Sequence, residues 1–195
     1  MIFRELFRRA SEAVFGGYKL RNEEGMRPLH GEYWIYLKGA KTGEIIEKRH
    51  ATNIIVNTAS ILIARLLKDN SEPTGGITYL AVGTGGTGWN LQNPPQPTVT
   101  QTALNSEIAR KAFTTEDVTF IDPITGDPTI IPTNVVDYTA TFAETEAVGP
   151  LVEMGLFGGD ATDSADTGSE VNYRTFPVLN KTNSMTLTII FRITS

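Results

Sequence analysis

The ten residues before Ser195 alternate strictly in side-chain position, and this pattern constrains the fold more than any other feature of the sequence. One set is apolar throughout, and the other is threonine at three of its five positions. A period of two is the period of a β-strand that has one buried face and one wet face. The sequence therefore predicts a mainly β fold, an antiparallel β-sandwich. The apolar positions are Met185, Leu187, Ile189, Phe191 and Ile193.

Further elements follow from shorter patterns. Eighteen glycines and ten prolines indicate many turns. Residues 31–50 alternate on both sides of the glycines at 39 and 43, which predicts a hairpin, and Gly126 fits the tip of another. Asn57 can cap one further helix over residues 57–69. The apolar stripe expected to bury that helix is Ile61, Leu62, Leu66 and Leu67.

Residues 1–17 predict an N-terminal amphipathic helix that ends at two glycines. Its apolar side chains recur with a period near 3.6, and charged side chains lie opposite. Such a helix either packs on its own domain or docks on a neighbouring subunit. The residues 18–195 are expected to form the β-sandwich domain. The predicted assembly interface of the helix is Ile2, Phe3, Leu6, Phe7, Val14 and Phe15.

The charges are distributed unevenly along the chain. The formal net charge is −5, and residues 114–173 carry twelve acidic residues with no Lys or Arg. This half repels a phosphate backbone, so we expect no nucleic-acid partner. It is either a solvated acidic face or a docking face for a basic partner. No apolar run approaches the roughly 20 residues that span a bilayer, and no signal peptide is visible, so we expect no membrane partner and synthesis in a cytoplasm.

A glycine motif raises the question of a cofactor. Gly83, Gly85 and Gly88 have the spacing G-x-G-x-x-G directly after an apolar run. A dinucleotide-binding turn with this spacing needs a helix to begin within it and face the pyrophosphate. The segment that follows, WNLQNPPQPTV, contains three prolines, which forbid a continuous helix. We expect no cofactor here, and glycines that allow positive φ or a close backbone approach.

No other residue pattern indicates catalysis. The absence of cysteine excludes thiolate chemistry, and two histidines twenty residues apart predict neither a zinc site nor a triad. Nothing singles out a catalytic pair among the carboxylates, so the chain is expected not to be an enzyme. One weak Ca²⁺ candidate remains, because acidic residues recur in a flexible loop. Its carboxylates are Asp160, Asp163, Asp166 and Glu170.

Three short motifs in residues 50–195 resemble a known pattern. They are LAVGTG at 80–85, TAL at 102–104 with Glu107 and Arg110, and VEMGLF at 152–157. Together with the closing threonine-rich strand they resemble the N-terminal collar or baseplate-attachment domain of tailed-bacteriophage tail fibres. A fibre would continue into a long shaft, so the expectation is a short stand-alone version of this module, with its sheet in residues 77–195.

The resemblance implies a non-enzymatic virion protein on the tail side, such as a baseplate, collar or fibre-adaptor subunit. Its partners would be other virion proteins and further copies of itself, in a trimer or a ring. A capsid decoration protein is the alternative, and a carbohydrate-binding module that uses Trp34 and Trp89 is a second. The position in the particle, the symmetry and the neighbours stay open. The predicted structural loop consists of Gly83, Gly85, Gly86, Gly88 and Trp89.

Overall fold

The computed structural model describes residues 29–68 and 75–195, and residues 30–194 form one compact unit. This unit contains ten β-strands, one α-helix and a single turn of 3-10 helix. The predicted N-terminal helix at 1–17 lies outside the described residues, and so does the proposed domain boundary after residue 17. The mainly β, antiparallel prediction with one further helix is confirmed.

The elements follow one another in a simple order. The first part of the chain forms the hairpin β1–β2, then helix α1 and strand β3. The strands β4 to β10 follow after a long loop. The bounds are β1 His30–Gly39, β2 Ile45–Ile55, α1 Asn57–Lys68, β3 Ile77–Gly83, β4 Glu107–Ala112, β5 Val118–Ile121, β6 Pro128–Thr129, β7 Val135–Phe142, β8 Gly149–Gly158, β9 Ser169–Lys181 and β10 Met185–Thr194.

All strand pairs are antiparallel, in the order β4-β3-β8-β9-β2-β1-β10-β7-β5-β6. Strand β2 connects two halves of this order. It pairs with β1 up to Asn53, and then Ile54 and Ile55 pair with Tyr173 and Asn172 of β9. The hydrogen bonding is therefore continuous across all ten strands, whereas a β-sandwich has two separate sheets. The sandwich arrangement itself is not confirmed.

One hydrophobic core unites both halves of the strand order. Leu187, Ile189 and Phe191 of β10 are at most 1% exposed, as the alternation of that strand predicts. They belong to the same cluster as Leu80 of β3 and Met154 of β8, which lie in the other half. The burial of both halves in one cluster explains how a two-pair junction at β2 can hold them together, since the hydrophobic effect scales with the apolar area removed from water.

Helix α1 buries a narrower stripe than its sequence predicts. Ala59 and Leu62 are buried, and Leu66 packs against the same core. Ile61 and Leu67 were expected in the buried stripe, but they are 58% and 84% exposed. The prediction of these two residues was wrong because they do not lie on the side of the helix that Leu62 and Leu66 share. At about 100° per residue, Ile61 falls near the polar Arg65, and Leu67 lies about 100° away from Leu66. The side of Leu62 and Leu66 is the one that packs on β9.

Two leucines of this helix make a matched test of the packing. We expect Leu62→Ala to lower the free energy of unfolding by about 2–4 kcal/mol, because it leaves a cavity in the core. Leu67→Ala removes the same atoms from an exposed position, and the loss should stay within about 0.5 kcal/mol. Urea denaturation followed by circular dichroism measures both values. Equal losses for the two variants would contradict the observed orientation of the helix.

Candidate functional site

The glycine motif forms a turn that leads into an irregular loop. Strand β3 ends at Gly83, and Gly85 and Gly88 have φ values of +78° and +81°. The residues from there to β4 contain neither helix nor strand. No helix N-terminus is therefore present to face a pyrophosphate, as the prolines predict. We call residues 84–106 the glycine loop.

The glycines also make room for Trp89. A Cβ atom at Gly85 would lie 2.6 Å from the Cε3 atom of Trp89, and one at Gly86 would lie 2.6 Å from its Nε1. Real Cβ atoms do not approach heavy atoms so closely, so only glycine lets the half-buried indole ring lie against this backbone. Of the predicted loop residues, Gly85, Gly86 and Trp89 are thus brought together, whereas a Cβ atom at Gly88 would meet nothing within 4 Å.

A buried carboxylate fastens the glycine loop to the sheet. Glu153 of β8 is fully buried, and its two oxygens accept five hydrogen bonds. Three donors are main-chain groups of the loop, at the N–H of Gly85 (3.1 Å), Asn105 (3.0 Å) and Ser106 (2.8 Å). The other two are the Asn105 side-chain amide (3.1 Å) and the Tyr173 hydroxyl (2.6 Å).

Gly83 lets this carboxylate approach the loop. It lies opposite Glu153 in the β3–β8 pairing, and a Cβ atom there would be 2.9 Å from the Glu153 Cγ and 2.5 Å from the carbonyl oxygen of Ser106. Glu153 therefore joins the three sequence motifs of the predicted module. Its side chain comes from VEMGLF and binds main-chain groups within LAVGTG and just after TAL. Sequence reasoning identified the motifs but not the carboxylate that connects them.

A second buried charge holds the acidic loop at residues 159–168. Glu107 and Arg110 of β4 form an almost fully buried ion pair with N–O distances of 2.6 and 2.7 Å. Arg110 also donates to the carbonyl oxygen of Thr162 (2.7 Å) and the hydroxyl of Thr167 (3.0 Å). Glu107 accepts a hydrogen bond from the N–H of Asp166 (3.2 Å). The acidic loop is thus fixed by a pair in TALNSEIAR, the second motif.

The four carboxylates of the Ca²⁺ candidate do not come together. Asp160, Asp163 and Asp166 are exposed, whereas Glu170 is fully buried in β9. Among the described residues, no three His, Asp or Glu side chains are grouped as metal ligands would be. Instead, Glu170 lies over the backbone of Gly155, where a Cβ atom would be 2.8 Å from its Oε1.

Glu170 is a neutral acid at physiological pH. Burial, the largest cause, and the nearby charges of Glu153 and Glu107 together raise its pKa to about 9. Neither of its oxygens has a hydrogen-bond partner among the described residues. The protonated form avoids a third buried negative charge beside the other two. Gly155 was the signal in the sequence, since a glycine within a strand indicates a close approach.

These carboxylates are poorly placed for catalysis. Glu153 uses its lone pairs on five protein donors, and Glu107 uses its own on Arg110 and Asp166, so neither is available as a base or a metal ligand. The polar cluster stabilises a loop. It resembles the interior of a rigid structural protein more than an active site.

Trp34 is arranged unlike a sugar-binding platform. It lies on β1 between β2 and β10, where the His50 ring stacks on it at 4.6 Å and the Arg192 guanidinium lies 5.2 Å from its centre. These neighbours come from strands on opposite sides, so they cover both faces of the indole ring. The side chains of both histidines lie within 3.6 Å of the Glu32 carboxylate, at the surface. Within the described ranges, no helix has the length and apolar character needed to cross a membrane.

Two glycines with the same backbone conformation make a matched test of the loop. Gly85→Ala and Gly88→Ala both place a side chain at positive φ, which costs about 1–2 kcal/mol. Only at Gly85 does the new Cβ also meet Trp89 and Val152, whereas nothing lies within 4 Å of Gly88. We expect Gly85→Ala to be more destabilising by a further 1–3 kcal/mol, approximately the cost of overpacking. Thermal denaturation of both variants decides, and equal losses would contradict the packing described.

The buried Glu170 makes stability depend on pH. Below its ordinary pKa of 4.5, the carboxyl group is protonated in the folded and the unfolded chain alike. Between that value and about 9, the unfolded chain releases the proton and the folded chain keeps it, so the free energy of unfolding falls as pH rises.

Glu170→Gln should remove this contribution. We expect the variant to be more stable than the natural chain at about pH 8 and to lose less stability between about pH 5 and pH 9. Glu144→Gln, at an exposed acidic residue, is the control. Urea denaturation across this range measures the slopes. Parallel pH profiles for Glu170→Gln and the natural chain would show that Glu170 is ionised when folded.

The comparisons with known proteins agree with this structural character. Residues 53–149 match the model of a family described as "Baseplate wedge 3 tail fiber network component". The match runs from the end of β2 to the start of β8 and includes the glycine loop and the Glu107–Arg110 pair. No curated protein and no solved structure matches the chain. The predicted resemblance to a tail-side structural protein of a bacteriophage is confirmed.

Proposed function

We propose, from this resemblance to a phage baseplate family, that the chain is a non-enzymatic subunit of the baseplate, collar or fibre attachment, and that it acts through contacts with other virion proteins. The family match carries the proposal. It supports a structural role and a place in the virion. We add the tail-side position to the proposal because the sequence motifs are most similar to the attachment domains of tail fibres.

The buried polar cluster supports a role that needs a surface of constant shape. The glycine loop is anchored at Glu153, and its carbonyl groups at Leu91 and Pro95 accept further hydrogen bonds from β9, each of 2.7 Å. Its start and end are therefore fixed, and its middle is fixed as well. A loop of this length that is held at so many points presents a constant surface, which favours repeated assembly with one partner over adaptable binding.

The N-terminal residues 1–17 are the second part of the proposal. Residues 30–194 bury a core of their own, which supports an independent role for the segment before them. We propose that this segment docks on a neighbouring virion subunit. The apolar side chains that would make the contact are Ile2, Phe3, Leu6, Phe7, Val14 and Phe15.

Complementation of particles that lack this protein tests both parts. We expect epitope-tagged full-length protein to be seen on the tail by immunogold electron microscopy, at a copy number set by the tail symmetry. The chain without residues 1–17 should fold, as judged by an unchanged thermal transition, but should be absent from particles. A label spread over the head, at a copy number comparable with the capsid protein, would instead identify a capsid decoration protein.

The carbohydrate-binding alternative is weakened by Trp34. Sugar rings stack on an open aromatic face, and both faces of this ring are covered. The Trp89 ring is also covered on the side that lies against Gly85 and Gly86. A glycan array on the purified chain would revive this alternative if it gave binding that Trp34→Ala abolished.

A further inference from the structure

We propose that copies of this chain associate head to tail, through two hairpins at opposite ends of the sheet. The acidic hairpin is residues 116–131 and includes β5 and β6. The basic hairpin is residues 38–48, the turn between β1 and β2 with its flanks. The acidic hairpin of one copy would contact the basic hairpin of the next. This inference rests on the proposed function and names one of the partners in assembly.

The strand register places the two hairpins at opposite ends. Thr194 pairs with His30 of β1 and with Val135 of β7, so these residues mark one end of the sheet. Strand β5 runs towards that end, because Val118 pairs with Tyr138 and Phe120 with Val136. The tip of the acidic hairpin therefore projects there.

The turn of the basic hairpin lies at the other end. Gly39 pairs with Met185, at the start of β10, and the chain returns from the turn at Ile45. This is the opposite end of β10 from Thr194. A molecule with one tip at each end can contact a neighbour on both sides.

Both tips expose large apolar side chains. In the acidic hairpin, Ile124, Ile130 and Ile131 are 92%, 99% and 68% exposed. In the basic hairpin, Ile45 and Ile46 are each 52% exposed. Of these residues, Ile124 lies in the turn of the acidic hairpin and Ile130 and Ile131 follow β6, whereas Ile45 and Ile46 follow the turn of the basic hairpin. Single apolar residues are normal on a protein surface, but several of this size on one projecting hairpin are typical of surfaces that bind another protein.

The acidic tip is also ordered before any contact. The side chain of Asp122 accepts a hydrogen bond from the N–H of Ile124 (2.8 Å), and Gly126 completes the turn at a φ of +79°. This local bonding fixes the backbone that carries Ile124, so ordering the main chain of the turn adds little to the entropic cost of binding.

The charges of the two hairpins are complementary. The acidic hairpin has four carboxylates and no basic residue, and residues 132–134 add no basic residue either. The basic hairpin has three lysines, and Glu47 in it is already paired with Arg49 at 2.6 Å. Glu44 is its other acidic residue. Opposite charge around an apolar centre favours contact between unlike tips and disfavours contact between two acidic tips. The three lysines are Lys38, Lys41 and Lys48.

Contact between unlike surfaces has a consequence for symmetry. It is heterologous, so every added copy leaves one tip free at each end of the growing assembly. Such contacts close into a ring when the rotation per copy divides a full turn, and otherwise form a filament. The geometry therefore points to a ring or a filament rather than a two-fold dimer.

Engineered cysteines test the contact directly, because the natural chain has none. Full-length Ile45→Cys and Ile124→Cys variants, carrying tags of different mass, would be mixed and oxidised with copper phenanthroline. We expect a disulfide between the two variants, which requires their Cα atoms to come within about 7 Å. The chain that carries both substitutions should give a ladder of dimers, trimers and larger species on a denaturing gel.

Two controls make the result decisive. Ile108→Cys places a similar thiol on β4, at the far edge of the sheet and 41% exposed, and should not cross-link with Ile124→Cys. Asp127→Lys or Lys41→Glu alone should reduce cross-linking by about two- to fivefold, and the two variants mixed should restore it. Cross-linking no greater than with Ile108→Cys would overturn the proposal. That failure would leave the tail position untouched, because immunogold labelling of particles tests it independently.

Discussion

The hydrogen bonds that Glu153 accepts hold the most irregular part of this protein in place. A loop of more than twenty residues without helix or strand has many main-chain groups to satisfy, and it gains little from its own packing. Three of those groups donate hydrogen bonds to Glu153, which lies on β8, a strand that is buried on both sides. The glycines, the tight turn and the position of Trp89 all depend on this one carboxylate lying under the loop.

Three buried carboxylates lie close together on this side of the sheet, and each is stabilised differently. Glu107 is paired with Arg110, Glu153 accepts hydrogen bonds, and Glu170 keeps its proton. Two buried negative charges already stand near one another, and only one arginine is bound to them. The third carboxyl group, that of Glu170, therefore remains neutral, since a further buried charge without a partner would be less favourable than the protonated form. Burial, together with these two neighbouring charges, raises the pKa of Glu170 and keeps its proton in place.

The sequence predicted what depends on local pattern and missed what depends on distant contacts. The alternation before Ser195 gave the right buried face for β10, and Gly155 correctly indicated a close approach. The predicted buried side of α1 was partly wrong, because Ile61 and Leu67 lie about 100° or more around the helix from Leu62 and Leu66, which pack on the core. Glu153 could not be distinguished among twelve acidic residues, because its donors in the glycine loop lie 47 to 68 residues away along the chain. Its remaining donor, Tyr173, lies on the neighbouring strand β9.

The distribution of buried polar and exposed apolar residues describes a rigid body that carries exposed apolar side chains at its ends. Glu153, Glu107 and Arg110 bond to groups of the chain itself and so offer little to a partner, and the outer aromatic Trp34 is covered by its neighbours. Among the described residues, the most exposed large apolar side chains include Ile124 and Ile130 of the acidic hairpin and Leu67 on the outside of α1. A catalytic protein concentrates its unsatisfied chemistry in a cleft. In this chain, exposed apolar side chains stand on projecting hairpins, where a neighbouring subunit can reach them, and that placement suits assembly.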